Sequence, residues 1–198
     1  MSFRKESKYR LTYSDLAQLQ KQLLMHGMKE LYPVRVINSC YFDTDSQRLF
    51  YESEEGVTPR KKIRVRWYNN ELNFKKETKI SSIEGRFKSS ELMPKFKNVN
   101  DVLKDNFYDK NYGILKPSLI VSYERYYFSL KLLRITFDRN ITYKFLRNGK
   151  GQTSIDPETV MEVKTSQMCS DDYIKKIIPH SSSRFSKYCR GLLSFERN

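Results

Sequence analysis

Hydrophobic and charged residues alternate one by one through "KKIRVRWYNN", residues 61–70. On a strand, Lys62, Arg64 and Arg66 then share one face and Ile63, Val65 and Trp67 the other. The same alternation recurs along the chain. Lys75, Glu77 and Lys79 fall on one face of "ELNFKKETK", Arg86 and Lys88 on one face of "GRFKSSEL", and Tyr123, Arg125 and Tyr127 on one face of "PSLIVSYERYYFSL". Glu162 and Lys164 lie opposite Met161 and Val163 in "ETVMEVKTS", and Glu6 and Lys8 share a face near the start. "RVINSCYFDT" and "LRITFDRNITYKFL" complete a set of about eight strands, with Asp43–Ser46 as a turn before "RLFYES" and Asn69-Asn70 as a hairpin turn. Three segments carry helix signals. "YSDLAQLQKQLLMHG" has Ser14 as cap, a Leu16, Leu19 and Leu23 stripe, and Gly27 as stop. "NVNDVLKDNF" is short, and "SDDYIKKII" is capped by Ser170 and stopped by Pro179. "SSSRFSKYCRGLLSF" begins as a loop and ends in a short helix or a packed tail. With no linker, repeat or low-complexity tract, residues 1–198 read as a single α+β domain built on an antiparallel sheet or barrel with a few peripheral helices.

Composition sharpens this pattern. The net charge is +14, which favours a polyanionic partner such as nucleic acid, an acidic membrane or a phosphorylated ligand. Two histidines and three cysteines without metal-like spacing leave a His-rich metal site or a Ser-His-Asp triad poorly supported, and the thiols read as those of a reduced, cytoplasmic chain. The N-terminal "MSFRKESKYRL" has no apolar core of a signal peptide, and no run reaches the roughly twenty apolar residues of a membrane helix. On any one strand a charged face is most simply a solvated one. Repeated on several strands, cationic faces can line a polar interior if an anion sits among them. Arginine suits that task, because its planar fork grips phosphate oxygens in pairs. Glu6, Glu77 and Glu162, scattered among the cations, either pair with neighbouring lysines or supply the oxygen ligands that a phosphate-bound divalent cation needs.

"ESKY", "SCYFDTD", "IRVRWYN", "YERYYFS", "ITFDRNITY", "MEVKT" and "RFSKYCRGL" follow one another from about residue 3 to 192. In that order they resemble the catalytic domain of the vacuolar transporter chaperone, the VTC domain, of the triphosphate tunnel metalloenzymes or CYTH superfamily. The resemblance implies an eight-stranded antiparallel β-barrel with basic and acidic side chains pointing inward. It implies a polyphosphate polymerase, a phosphotransferase that moves the γ-phosphate of ATP or another nucleoside triphosphate onto phosphate or polyphosphate, with Mn or Mg as the divalent cation. By motif, Lys8, Arg64, Arg66, Lys79, Arg125 and Lys187 match the catalytic cations. Lys88, Arg139, Lys164 and Ser186 join them in binding substrate, with Lys75 or Lys76 competing for the place of Lys79. Glu162, Glu77 and Glu6 match the metal ligands. The family's Glu-x-Glu-x-Lys opening is reduced here to Glu6-Ser7-Lys8, with Arg4 at the earlier acid. A complete two-metal hydrolase site is therefore not expected. The resemblance points to the stand-alone prokaryotic-type form, without the phosphate-sensing and membrane domains of eukaryotic assemblies. No DNA partner is expected, and a membrane-protein partner and the oligomeric state stay open. A tripolyphosphatase or nucleoside triphosphatase of the same fold, and a non-catalytic polyphosphate- or RNA-binding module, are the alternatives.

Overall fold

The computed structural model describes residues 4–69, 71–146, 151–166 and 169–196. Its ten strands are β1 (Arg4–Leu11), β2 (Lys29–Asp43), β3 (Arg60–Tyr68), β4 (Lys75–Ser82), β5 (Gly85–Leu92), β6 (Phe107–Asp109), β7 (Gly113–Leu130), β8 (Leu133–Phe145), β9 (Thr153–Ile155) and β10 (Thr159–Ser166). The helices are α1 (Tyr13–Met25), α2 (Arg48–Glu55), α3 (Val99–Lys104), α4 (Asp171–Ile177) and α5 (Lys187–Glu196). Hydrogen bonds link the strands in the order β1-β10-β8-β7-β2-β3-β4-β5, with short β6 on β7 and short β9 on β8. The expected α+β class is present, and the β1-β10, β10-β8, β2-β3, β3-β4 and β4-β5 pairs are antiparallel as expected, with two short strands in addition among the described residues. The chain divides into two compact units. The first comprises residues up to Arg35, Tyr123–Ile141 and Asp156–Phe185; the second comprises Val36–Ser122, Thr142–Ile155 and Ser186 onward.

In the first unit, β1, β10 and β8 pair antiparallel in a register that sets Lys8 opposite Glu162 and Glu162 opposite Thr136. Partnered residues share a face, so the sheet separates its side chains cleanly. Tyr9, Leu11, Met161, Val163, Ile135 and Phe137 all turn to one side and are buried against Leu16, Leu19 and Leu23 of α1 and Ile174 of α4. Helix α1 starts two residues earlier than its sequence suggests: Thr12, not Ser14, is the cap. The Thr12 hydroxyl accepts from the Asp15 amide while Asp15 accepts from the Thr12 amide, a reciprocal arrangement that satisfies two orphan donors. Gly27, at φ +89°, ends the helix as expected. Ser170 caps α4 by accepting from the Tyr173 amide.

In the second unit, Ile63, Val65 and Trp67 of β3 are buried with Cys40, Phe42, Phe74, Phe96, Leu49 of α2 and Val102 of α3. The apolar half of "KKIRVRWYNN" is thus core, and the cationic half faces away from it. The segment "RLFYES" is helix α2, and what fixes it is Asp43 rather than a residue of its own. The buried Asp43 carboxylate accepts from the amides of Thr44, Leu49 and Phe50 at 2.7, 2.9 and 3.0 Å. It also accepts from the Tyr188 hydroxyl of α5, and Tyr188 stacks on Tyr41 with centroids 4.7 Å apart. One carboxylate therefore joins β2, α2 and α5. The Asn69-Asn70 turn is described only at Asn69, whose amide donates to the Val36 carbonyl; Asn70 lies outside the described residues.

Candidate active site

The cationic face of the second unit is set by register. Across β3, β4 and β5, Lys62, Lys79 and Lys88 stand directly opposite one another. The next row holds Arg64, Glu77 and Ser90, and the next Arg66, Lys75 and Leu92. Like charges in direct cross-strand opposition destabilise a sheet unless something of opposite sign offsets them. Within these rows the only carboxylate is Glu77, and it is saturated. Arg64 donates from Nε and Nη2 to Glu77 Oε2 at 2.8 and 2.6 Å, Lys88 Nζ donates to Oε1 at 2.6 Å, and Arg66 Nη1 approaches at 3.6 Å. Burial alone would raise the Glu77 pKa, but Arg64 and Arg66 outweigh it and pull the carboxyl down to about 2. Tyr41 accepts from Arg64 Nη1 at 2.9 Å. Burial resists its ionisation, yet Arg64, Arg66 and Lys62 together lower its pKa. One carboxylate and one phenol thus fix the orientation of Arg64, with Arg66 close to the same carboxylate and Lys88 bound to it. Lys62 Nζ donates to Ser186 Oγ at 2.7 Å, and Ser186 accepts from the Cys189 amide as the cap of α5. Lys187 begins that helix.

The first unit carries a second cluster. Arg125 is gripped in two-pronged fashion by Asp138, with Nε to Oδ1 at 2.6 Å and Nη2 to Oδ2 at 2.8 Å. Asp138 is fully buried. Burial works against the charge on Arg125, but Asp138 more than offsets it and keeps the guanidinium protonated. Lys164 Nζ lies 2.7 Å from Glu162 Oε1 and 3.7 Å from Glu6 Oε2, and Lys8 Nζ lies 3.4 Å from Glu6 Oε1. Burial pushes the Glu162 carboxyl up, while Arg125, Lys164 and Lys8 outweigh it and bring it down to about 2. Lys8 also donates to the Phe185 carbonyl at 3.2 Å.

The expected residues are therefore brought together in two sets: Arg64, Arg66, Glu77, Lys79, Lys88 and Ser186 in one unit, with Lys187 at the start of α5, and Lys8, Glu6, Arg125, Glu162 and Lys164 in the other. Arg139 joins neither. It follows Asp138 by one residue and so turns to the opposite face of β8, where its guanidinium reaches Gln20 of α1 and lies over the Tyr126 ring. There it borders a cavity of about 750 Å³ with Tyr13, Leu16, Gln20, Leu24 and Met25, an apolar setting unlike either cationic cluster. Asp138 and Tyr41 are the partners that motif reasoning missed.

Among the described residues no group of three or more His, Cys, Asp or Glu is placed to hold a metal ion. The carboxylates differ in what they can still offer. Both oxygens of Glu77 are taken by cations, so Glu77 does not fit a metal. Glu162 and Glu6 are two hard oxygen donors within reach of one ammonium, which fits the one or two carboxylates that Mg²⁺ uses when phosphates complete its shell.

The VTC domain matches this sequence over residues 3–113 and 106–196. The chain belongs to the VTC domain family. Solved structures agree on the fold. A candidate adenylate cyclase from Bacillus halodurans superposes with a TM-score of 0.58 at 17% identity, covering 93% of this chain and 94% of that one. A protein from Pyrococcus horikoshii OT3 gives 0.58 at 12% identity, over 94% and 99% of the two chains. HpAC1 from Hippeastrum, a protein with a dominant triphosphatase activity, gives 0.52 at 14% identity, over 97% and 96%. A comparison with curated protein sequences found no match. The VTC chain thus shares the fold of these structures, and no described helix is long and apolar enough to cross a membrane.

Proposed function

We propose that this VTC-family protein is a metal-dependent polyphosphate polymerase, acting as a single domain on a nucleoside triphosphate such as ATP. The observation that supports it most is the Lys62, Lys79 and Lys88 row beside the paired Arg64 and Arg66, a strand face whose one carboxylate is already used. Such a face is relieved by a polyanion, and Arg64, oriented by Glu77 and Tyr41, and Arg66 beside it are preset for phosphate oxygens. In the other unit Glu162 and Glu6 would hold a divalent cation, Mn or Mg, which when bound supplies charge neutralisation on phosphate oxygens. Lys8, Lys164 and Arg125 add fixed positive charge there, and Asp138 keeps Arg125 oriented.

The transfer needs little covalent help from the protein. An acceptor phosphate oxygen forms a bond to the γ-phosphorus as the bond to the bridging oxygen breaks, and the nucleoside diphosphate leaves with that oxygen. The acceptor is already anionic, so no histidine or serine nucleophile is required. The cations lower the repulsion between acceptor and donor and stabilise the charge on the transferred group. Lys79, Lys187 and Ser186 are assigned to phosphate contact. Glu77 is assigned to positioning the arginines rather than to the metal.

The similarity to HpAC1 favours one second reading, hydrolysis of the triphosphate. Glu77 is too fully engaged by cations to orient a water, which leaves Glu6 for that role. A single assay separates the readings. Purified protein with ATP and Mn²⁺ is expected to yield long anionic polymer on a stained gel, whereas orthophosphate without polymer selects the triphosphatase. Arg64→Ala is expected to lose triphosphate affinity, and Glu162→Gln to keep affinity but lose turnover. Neither polymer nor phosphate across metals and primers, with Glu162→Gln binding normally, would leave only the binding module.

A further inference from the structure

The first unit holds an aromatic and cationic group that none of the phosphate chemistry uses. Tyr32 of β2 is 48% exposed, in a stretch of the strand, Lys29–Arg35, that is exposed throughout. Its ring meets the buried Tyr127 ring edge-on, with centroids 5.8 Å apart and planes at 84°. The Arg134 guanidinium lies 6.0 Å from the Tyr32 ring centre and that of Arg35 lies 5.9 Å from the Tyr127 ring centre. Several other cations of this unit have carboxylate partners: Arg125 with Asp138, Arg10 with Glu158, Lys5 with Asp171. Among the described residues Arg35 and Arg134 form no ion pair, and the groups they lie over are the two rings. The group also has a definite place. Arg134 is the register partner of Lys164, whose ammonium contacts Glu162 and Glu6. The rings therefore adjoin the carboxylate cluster on the same sheet.

Building on the triphosphate reading, we propose that Tyr32, backed by Tyr127 and flanked by Arg35 and Arg134, is the platform on which the base of the nucleoside triphosphate stacks. An exposed ring edged by guanidinium groups matches the flat, polarisable face of a nucleobase, and the unpaired arginines match the anionic groups attached to it. Stacking is indifferent to the base edge, because every base presents a π face. The platform therefore holds purine nucleotides alike and sets the difference between a nucleotide and bare tripolyphosphate.

Calorimetric titration of the full chain, without added divalent cation so that no turnover intervenes, compares ATP, GTP and tripolyphosphate. Tyr32→Ala is expected to lower the ratio of ATP to tripolyphosphate affinity about tenfold, in the range of one lost base–aromatic stack. GTP should shift in parallel, and Tyr32→Phe should restore the wild-type ratio, since it keeps the ring. An unchanged ratio in Tyr32→Ala, with wild-type protein binding both ligands, overturns the platform and leaves the triphosphate reading standing. Failure of the wild type to bind either ligand, here and in a repeat with Mg²⁺, overturns both.

Discussion

Glu77 is the carboxylate whose removal tests the electrostatic account most directly. It is 4% exposed and faces two arginines and a lysine. Glu77→Gln keeps its size and one acceptor oxygen but deletes the charge, and it turns an NH₂ group or a bare carbonyl toward Lys88. The carboxyl is drawn from 4.5 to about 2 in the folded chain. At about 1.36 kcal/mol per pH unit, that difference corresponds to about 3 kcal/mol of favourable interaction with the charged form. Breaking a buried pair by removing one partner costs about 3–5 kcal/mol in general, which is the same scale. For a chain of this length each kcal/mol moves Tm by about 2–4 °C, so a fall of roughly 6–12 °C is expected at pH 7. The pH dependence supplies the control. A carboxyl with a depressed folded pKa contributes fully above its unfolded value near 4.5, and the contribution fades as pH falls towards about 2. The gap between wild type and Glu77→Gln, followed by calorimetry or circular dichroism from pH 7 to pH 3, should therefore narrow below about pH 4.5. Added tripolyphosphate should raise the Tm of the variant more than that of the wild type, since it brings negative charge to freed cations. A variant as stable as wild type at pH 7, or a gap that stays constant down to pH 3, would refute the claim that Glu77 is the counter-charge of this face.

Three further outcomes follow from the packing. Asp138→Asn leaves Arg125 buried without its counter-ion, and chemical denaturation should show a loss of about 3–5 kcal/mol. Gly191→Ala places a methyl 2.5 Å from Tyr143 Cδ1 and 2.7 Å from Leu119 Cδ2, so the same measurement should show destabilisation of about 1–3 kcal/mol from overpacking. Asp43→Ala strips the buried acceptor from the amides that open α2 and from Tyr188; a Tm drop is expected together with faster hydrogen exchange at Leu49 and Phe50, whose amides donate to it.

Much of the sheet was legible because alternation is a strict rule. Ile63, Val65 and Trp67 turn into the core and Lys62, Arg64 and Arg66 turn the other way, as the pattern requires. The rule also carried information that motif matching overrode. Asp138 and Arg139 are neighbours, so only one can share a face with Glu162. Resemblance favoured the arginine, whereas register places Asp138 on that face and sends Arg139 towards α1. The Arg125–Asp138 pair was within reach of the same arithmetic. Strand β7 ends at Leu130 and β8 begins at Leu133, so equal steps back from this two-residue turn set Arg125 opposite Asp138. Helix α2 had no comparable local signal. Its opening amides are satisfied by Asp43, which lies outside the helix and is held in turn by Tyr188, more than a hundred residues away. Thr44 and Asp43 accept from the opening amides from four to seven residues upstream, so the cap leaves no pattern within the segment it caps.

The two cationic clusters show why the carboxylates could not be sorted by residue type. Glu77 and Glu162 have the same chemistry, the same strong shift and a lysine two residues on. They differ in how many donors each oxygen already serves. Glu77 spends both oxygens on Arg64, Arg66 and Lys88, and so can only hold side chains in place. Glu162 meets Lys164 through Oε1, and no hydrogen bond to Oε2 is found among the described residues. A carboxylate kept ionised by Arg125, Lys164 and Lys8, yet with a lone-pair face unspent, is the kind that a hard cation can still claim. The proposed division of labour between positioning and metal binding therefore rests on how many donors each carboxylate already serves, a property of three-dimensional neighbours that the Glu-x-Lys spacing shared by both glutamates does not encode.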